Sequence, residues 1–291
     1  MSPMAAEAAA IVSQIRYEER NTIWTKDYED NLAKETGDVF PGMMFHLARD
    51  KMEQTKLWKI VKRMPKGALL HCHLEAMPDL DWLFDEMFAI GGMCMQAEGP
   101  LSTLDSKTTV SVSFAWRKSA TNLQTSIWSE DYPAKTYVPI ESAAESFPEE
   151  GIVGFRRWLK SRVSITDTEF GQHHYGPNAI WTKFVSCFKI LYTILHYEPI
   201  WRVFIRKVLK MLYDDGVKYV DLRASFAVPF YGTGSETAEP DNSLPVQILD
   251  EEIEDFKESE DGKGFWGARL IWTNLRHMGT KDIISGRCNS A

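Results

Sequence analysis

Apolar residues recur along the chain at two spacings, and the alternation between them outlines its elements. Ile11, Ile15 and the Ile23-Trp24 pair lie along one helix face with charges between them. Leu47, Met52, Leu57, Trp58 and Val61 predict a second helix that stops before Pro65. Gly67 to His73 is a short, almost uninterrupted apolar run, the signature of a buried strand in a parallel sheet. A helix opened by Pro78 follows, with Leu80, Leu83, Phe84 and Met87 on one side.

From about Gly91 to Phe147 the pattern weakens. Ser and Thr dominate, and Thr108 to Phe114 alternates like a half-buried strand. A structureless loop of this length is unusual inside a compact domain, so the segment reads as an inserted subdomain. Ile152 to Val163 predicts a short helix that closes it.

The clearest period follows. Trp181, Phe184, Val185, Phe188, Leu191 and Leu195 form one stripe, and Trp201, Phe204, Ile205, Val208 and Leu212 resume it after a break at Pro199. Gly216 reads as a left-handed helix stop. Val217 to Arg223 predicts a strand, 233–242 a loop, Leu244 to Phe256 an acidic helix, and Gly267 to Thr273 a further strand. Strands alternating with helices imply parallel βα units, an α/β fold.

Composition narrows the partners. The chain has 291 residues, 44% hydrophobic and 25% charged, which is ordinary for a globular protein. Its formal charge of −8 argues against a nucleic-acid partner. No apolar run approaches the ~20 residues of a membrane helix, so no membrane partner is expected. Four cysteines are too few for a disulfide scaffold. Met1 to Ala10 has no basic start, and no Asn-x-Ser/Thr sequon occurs. The chain therefore reads as cytoplasmic as it stands, and as extracellular if its N-terminus is incomplete.

Candidate chemistry centres on His71-Cys72-His73. In a strand the side chains at i and i+2 point the same way, so both imidazoles face one side and Cys72 the other. Two such rings can converge on one divalent metal; the alternative is two incidental histidines, each hydrogen-bonded to backbone. Glu75, on the following loop, reads either as an acceptor for a substrate hydroxyl or as a solvated carboxylate. His73-Leu74-Glu75 also matches half of the zinc nucleobase deaminase signature, but no Pro-Cys-x-x-Cys accompanies it. Gly232-Thr233-Gly234 lacks the third glycine of a dinucleotide site. His173 and His174 fall in a polar stretch and read as exposed. Asp221 and Arg223, on one side of their strand, read as a buried ion pair. Trp181 reads as core packing that can also reach a pocket.

The block Met64-Pro-Lys-Gly-Ala-Leu-Leu-His71-Cys-His73-Leu-Glu75-Ala76, followed by Asp81-Trp82-Leu83, resembles the adenosine deaminase family. Within it the resemblance is to the adenosine-deaminase-related growth factor, or adenosine deaminase 2-like, branch. Ile180 to Phe184, Tyr213 to Arg223 and Trp266 to Lys281 resemble further blocks of that branch, so the similarity runs from about residue 15 to 284. It implies a metal-dependent-hydrolase (β/α)8 TIM barrel with one catalytic Zn²⁺ and hydrolytic deamination of adenosine to inosine. It also implies His71 and His73 as metal ligands, Glu75 and Trp181 as contacts to a purine nucleoside, and a homodimer through the N-terminal extension.

The family's third zinc histidine, its His-Ala-Gly-Glu block and its Ser-Asp-Asp-Pro-like block have no counterpart here. The expected layout is a helical extension over 1–63 and a first βα unit over 64–90. An insertion over 91–165, further βα units over 166–284 and a tail over 285–291 complete it. Three barrel strands, near 68–73, 217–223 and 267–273, cannot close a barrel, so the chain reads as the truncated N-terminal portion of one. No catalytic proton-transfer residue is assigned, weak zinc binding is expected, and so is impaired activity. A non-catalytic remnant or binding protein and another amidohydrolase-superfamily hydrolase remain the alternatives.

Overall fold

The computed structural model describes residues 1–36, 45–119, 126–166, 177–226 and 228–273. The chain divides into two compact units, Met1–Gly67 and Ala68–Ala291. His173, His174 and the 274–291 segment, with the resemblance it carries, lie outside the described residues.

The first unit is helical: α1 (Pro3–Thr22), α2 (Lys26–Thr36), α3 (Phe45–Glu53) and α4 (Lys56–Arg63). The single helix expected from Leu47 to Val61 is in fact two. The chain breaks at Gln54-Thr55, where the Thr55 hydroxyl leaves the helix to cap α4, accepting from the Trp58 amide at 3.1 Å. Glu19 of α1 is buried and accepts from the Lys56 and Leu57 amides at 2.6 and 3.2 Å. A carboxylate at a helix N-terminus satisfies orphan donors and complements the helix dipole, so the buried charge is compensated.

β1 (Gly67–His73), which opens the second unit from Ala68, is a strand but not the buried one expected: its residues are exposed or half-buried, because it has a described strand neighbour, β5, on one side alone. It leads into a 3-10 turn (Leu74–Ala76) and then α5 (Leu80–Ala89). Pro78 lies outside α5, and the Asp79 carboxylate caps it by accepting from the Asp81 and Trp82 amides. The inserted segment has a sheet of its own, ordered β3-β2-β4, from β2 (Met93–Ala97), β3 (Val112–Trp116) and β4 (Val138–Pro139). All its pairings are antiparallel. Gly92 enters β2 at φ 88, where a Cβ would meet the Trp116 indole nitrogen at 2.8 Å, so only glycine fits there.

The strand expected over Thr108 to Phe114 begins later. Thr108 and Thr109 belong to α6 (Leu104–Thr109), which Thr103 and Ser106 start with a reciprocal capping box. That local hydrogen bonding outcompetes the alternating pattern. Helices α7 (Ile140–Glu145) and α8 (Gly151–Arg162) follow, and Trp128, Phe147, Phe155 and Trp158 pack edge to face among them.

The stripe after residue 176 forms α9 (Pro177–Leu195) and α10 (Glu198–Asp214). Pro199 occupies the first turn of α10, where its missing N–H costs nothing, so the break falls just before it at His196-Tyr197. Gly216, at φ 89, ends α10 and turns the chain into β5 (Val217–Ala224). Then come α11 (Ser243–Glu258) and β6 (Gly267–Trp272). The second sheet has the order β1-β5-β6, and β5 and β6 are parallel, with Tyr219 opposite Gly267 and Ala224 opposite Trp272. Val220, Leu222 and Ala224 turn one face of β5 into the core, while Tyr219, Asp221 and Arg223 on the other face are half-buried. The architecture is mixed α/β with a parallel sheet and helices.

The ion pair expected between Asp221 and Arg223 does not form among the described contacts. Asp221 accepts from the Tyr219 hydroxyl at 2.9 Å, and Arg223 donates to the Leu70 carbonyl at 2.9 Å. Half-exposed side chains have no need to neutralise each other, and each takes the partner its strand position offers.

Candidate functional site

His71 and His73 are the last alternating positions of β1, and both side chains are exposed on one side of it. Their ring centroids are 5.4 Å apart, with planes inclined at 51°. Cys72 points the other way, its thiol donating to the Asp221 carbonyl at 3.5 Å, and burial raises its pKa. Burial, then His71, then Arg223 hold the His73 imidazole below its usual pKa. The neutral ring thus favoured at pH 7 is the form that ligates a metal.

Glu75 sits in the 3-10 turn beyond the pair and is 2% exposed, so it is not a solvated carboxylate. Its Oε1 accepts from the Ser225 amide, just past β5, at 2.8 Å. Burial pushes its carboxyl up to about 7, against the opposing pull of that amide. Tyr192 of α9 approaches the same place: its phenol is raised by burial and by the nearby Glu75 carboxylate, with a side-chain hydrogen bond to Ser225 opposing. Two chain segments and a helix therefore meet at one strand end.

Trp181 lies in the second turn of α9 rather than at its start, and is 56% exposed. Its ring packs on Phe184, with centroids 5.5 Å apart. It stands ~16 Å before Tyr192 along the helix axis, from the 1.5 Å rise per residue. The structure thus joins His71, His73 and Glu75 in one short stretch and carries Trp181 on a helix that also reaches that stretch.

Ser225, Tyr192 and His196 are polar residues near this end that sequence reasoning missed. Tyr192 and His196 lie four apart within the apolar stripe, and that interruption was the available signal. His196 is buried, with Nδ1 3.2 Å from the Val228 carbonyl and Nε2 without a hydrogen-bond partner among the described residues. Tyr192, Trp201 and Phe230 surround it, and burial pushes its pKa down to about 4.

Fold and strand end together define an α/β protein that carries a histidine pair at the C-terminal end of a sheet strand. Adenosine deaminase of Phlebotomus duboscqi is 25% identical to this chain over 251 residues, 86% of the chain and 44% of that protein. Adenosine deaminase 2 of Sus scrofa is 26% identical over 258 residues, covering 89% of the chain and 46% of the relative. Adenosine deaminase 2-A of Danio rerio is 23% identical over 250 residues, covering 86% and 45%. Over most of its length the chain is thus similar to adenosine deaminases and adenosine deaminase 2 proteins. The chain spans about half the length of the curated relatives it matches. No family model matches it.

Proposed function

We propose that the chain carries part of the site of an adenosine deaminase-like, metal-dependent hydrolase, acting on adenosine or a related purine nucleoside to release ammonia and inosine. The observation that carries this reading is the His71–His73 pair, two imidazoles 5.4 Å apart on one side of a strand end, in a chain similar to adenosine deaminases over most of its length. The β1-β5-β6 sheet is read as part of a (β/α)8 barrel, whose chemistry sits at the C-terminal ends of the strands.

The donor set fits a zinc ion in part. Catalytic zinc usually takes three protein ligands. His71 and His73 supply two nitrogen donors, while among the described residues no group of three His, Cys, Asp or Glu side chains could hold a metal. When bound, zinc supplies Lewis acidity. The work of this chain's own residues is to present two neutral imidazoles from a rigid strand and to keep Glu75 and Trp181 on the substrate side. Glu75 would serve as an acceptor near the ribose and Trp181 as an apolar contact.

That the described residues bring two donors together, not three, favours a second reading, a binding protein without turnover. Another hydrolase of the amidohydrolase superfamily is a third. Purified chain with Zn²⁺ and adenosine, followed by the ultraviolet change to inosine, separates them. Robust turnover supports the first reading. Binding of adenosine without turnover supports the second, and activity confined to nucleoside-free amides or esters supports the third.

A further inference from the structure

Glu75 is two residues beyond His73, yet its described partner lies 150 positions away in sequence. The Ser225 amide, at the end of β5, donates to Oε1 at 2.8 Å inside a site where Glu75 is 2% exposed. At that depth a free amide would cost about 1–3 kcal/mol, so the contact is one the fold must make. The Tyr192 side chain of α9 lies close to the same place. One strand away, the Cys72 thiol on the Asp221 carbonyl and Arg223 on the Leu70 carbonyl also join β1 to β5. These latter ties lie at or before residue 72. Beyond His73, the described side-chain hydrogen bond that reaches the end of β5 is the one Glu75 accepts from Ser225, beside the buried Leu74.

We propose that Glu75 is a positioning residue: by accepting the Ser225 amide it clasps the turn after His73 onto the end of β5 and fixes the spacing and tilt of the His71 and His73 rings. Without the clasp the turn loses its described hydrogen bond to the end of β5, and the two imidazoles sample a wider range of separations. A preorganised pair loses less entropy on ligating an ion than a loose one. Any contact Glu75 makes to a substrate is separate from this role.

The test uses the full chain, three variants at Glu75 and, as the metal control, His71→Ala. Glu75→Ala removes the acceptor, Glu75→Asp shortens its reach by one methylene, and Glu75→Gln keeps an oxygen at Oε1. Two readouts are taken: amide hydrogen exchange over 71–76 and at Ser225, and Co²⁺ affinity measured by competition with a chromogenic chelator. The metal readout alone rests on the reading of His71 and His73 as ligands. In Glu75→Ala and Glu75→Asp, exchange at 71–76 is expected to accelerate about tenfold or more while β6 amides are unchanged. Co²⁺ affinity should fall by about tenfold, the scale of a lost orienting partner. Glu75→Gln should stay within about twofold of wild type in both.

Unchanged exchange in both Glu75→Ala and Glu75→Asp overturns the clasp. Equal damage in Glu75→Gln overturns it too, because the acceptor would then not be the acting group. Should Glu75→Ala fail to fold, the Asp and Gln pair decides. A wild-type chain that takes up no more Co²⁺ than His71→Ala overturns the metal reading, and the exchange data still decide the clasp.

Discussion

The Cys72 thiol donates to the carbonyl of Asp221, 3.5 Å away on the neighbouring strand, and this contact fixes which way its flanking residues face. With Cys72 turned toward β5, strand alternation places His71 and His73 together on the opposite side, and the 5.4 Å between their rings follows.

On the proposed reading the pair acts as a unit toward metal. His71→Ala and His73→Ala should each lower Zn²⁺ affinity by about a hundredfold or more, beyond the roughly tenfold expected for the loss of an orienting neighbour. The double variant should bind no better than either alone. Isothermal titration of the purified variants checks this, and additive losses would show that the rings do not share an ion.

The interior of the second unit rests on its aromatics. Phe155 is fully buried and packs edge to face against Phe88, Trp128 and Phe147. Phe155→Ala should cost about 3–5 kcal/mol through lost burial and the cavity left behind. Urea unfolding followed by tryptophan fluorescence measures it.

A buried carboxylate joins α10 to α11. Glu252 is fully buried and accepts from Arg206 and, at 3.3 Å, from Arg202, which also pairs with Glu198 and Glu251. Because both arginines are partly exposed, water recovers some of what they lose. Glu252→Ala should therefore destabilise by about 1–3 kcal/mol, less than a fully buried broken pair. Glu251→Ala, at the solvent-facing end of the same network, should shift the urea midpoint far less.

Acid should unfold the chain through His196. Its folded pKa of about 4 lies below the ordinary imidazole value of 6.5, so between those values the unfolded chain binds the proton and the folded one does not. The contribution is fully present above pH 6.5 and is lost as pH falls toward 4, amounting to about 3 kcal/mol at most. The titratable ring packed against it, Tyr192, is held neutral throughout this window, so it does not offset the effect. Stability measured from pH 7.5 to 4.5 should fall more steeply for wild type than for His196→Phe. Equal slopes would show that His196 does not titrate in this way.

The amino-acid sequence alone was enough for the elements whose periodicity is local. The run from Gly67 to His73, the stripes on either side of Pro199 and the strands after Gly216 and Phe265 follow from spacing and punctuation between near neighbours. So does the shared side of His71 and His73, because strand alternation is a property of adjacent residues. Where a local hydrogen bond competes with the pattern, the reading slipped by a few residues. Thr103 and Ser106 draw Thr108 into a helix, and Thr55 splits another in two.

Only the tertiary structure decided which distant groups meet. Nothing near Glu75 in the sequence names Ser225 as its partner, brings Tyr192 of α9 close to Glu75, or pairs Met93–Ala97 with Val112–Trp116. Those contacts depend on how helices and strands stack around a shared core. Burial there turns a loop carboxylate into a structural acceptor and leaves one His196 nitrogen without a partner among the described residues. Periodicity is written in the spacing of neighbours, whereas partners are set by packing, and that is why the histidine pair was legible in advance and the contact that holds it was not.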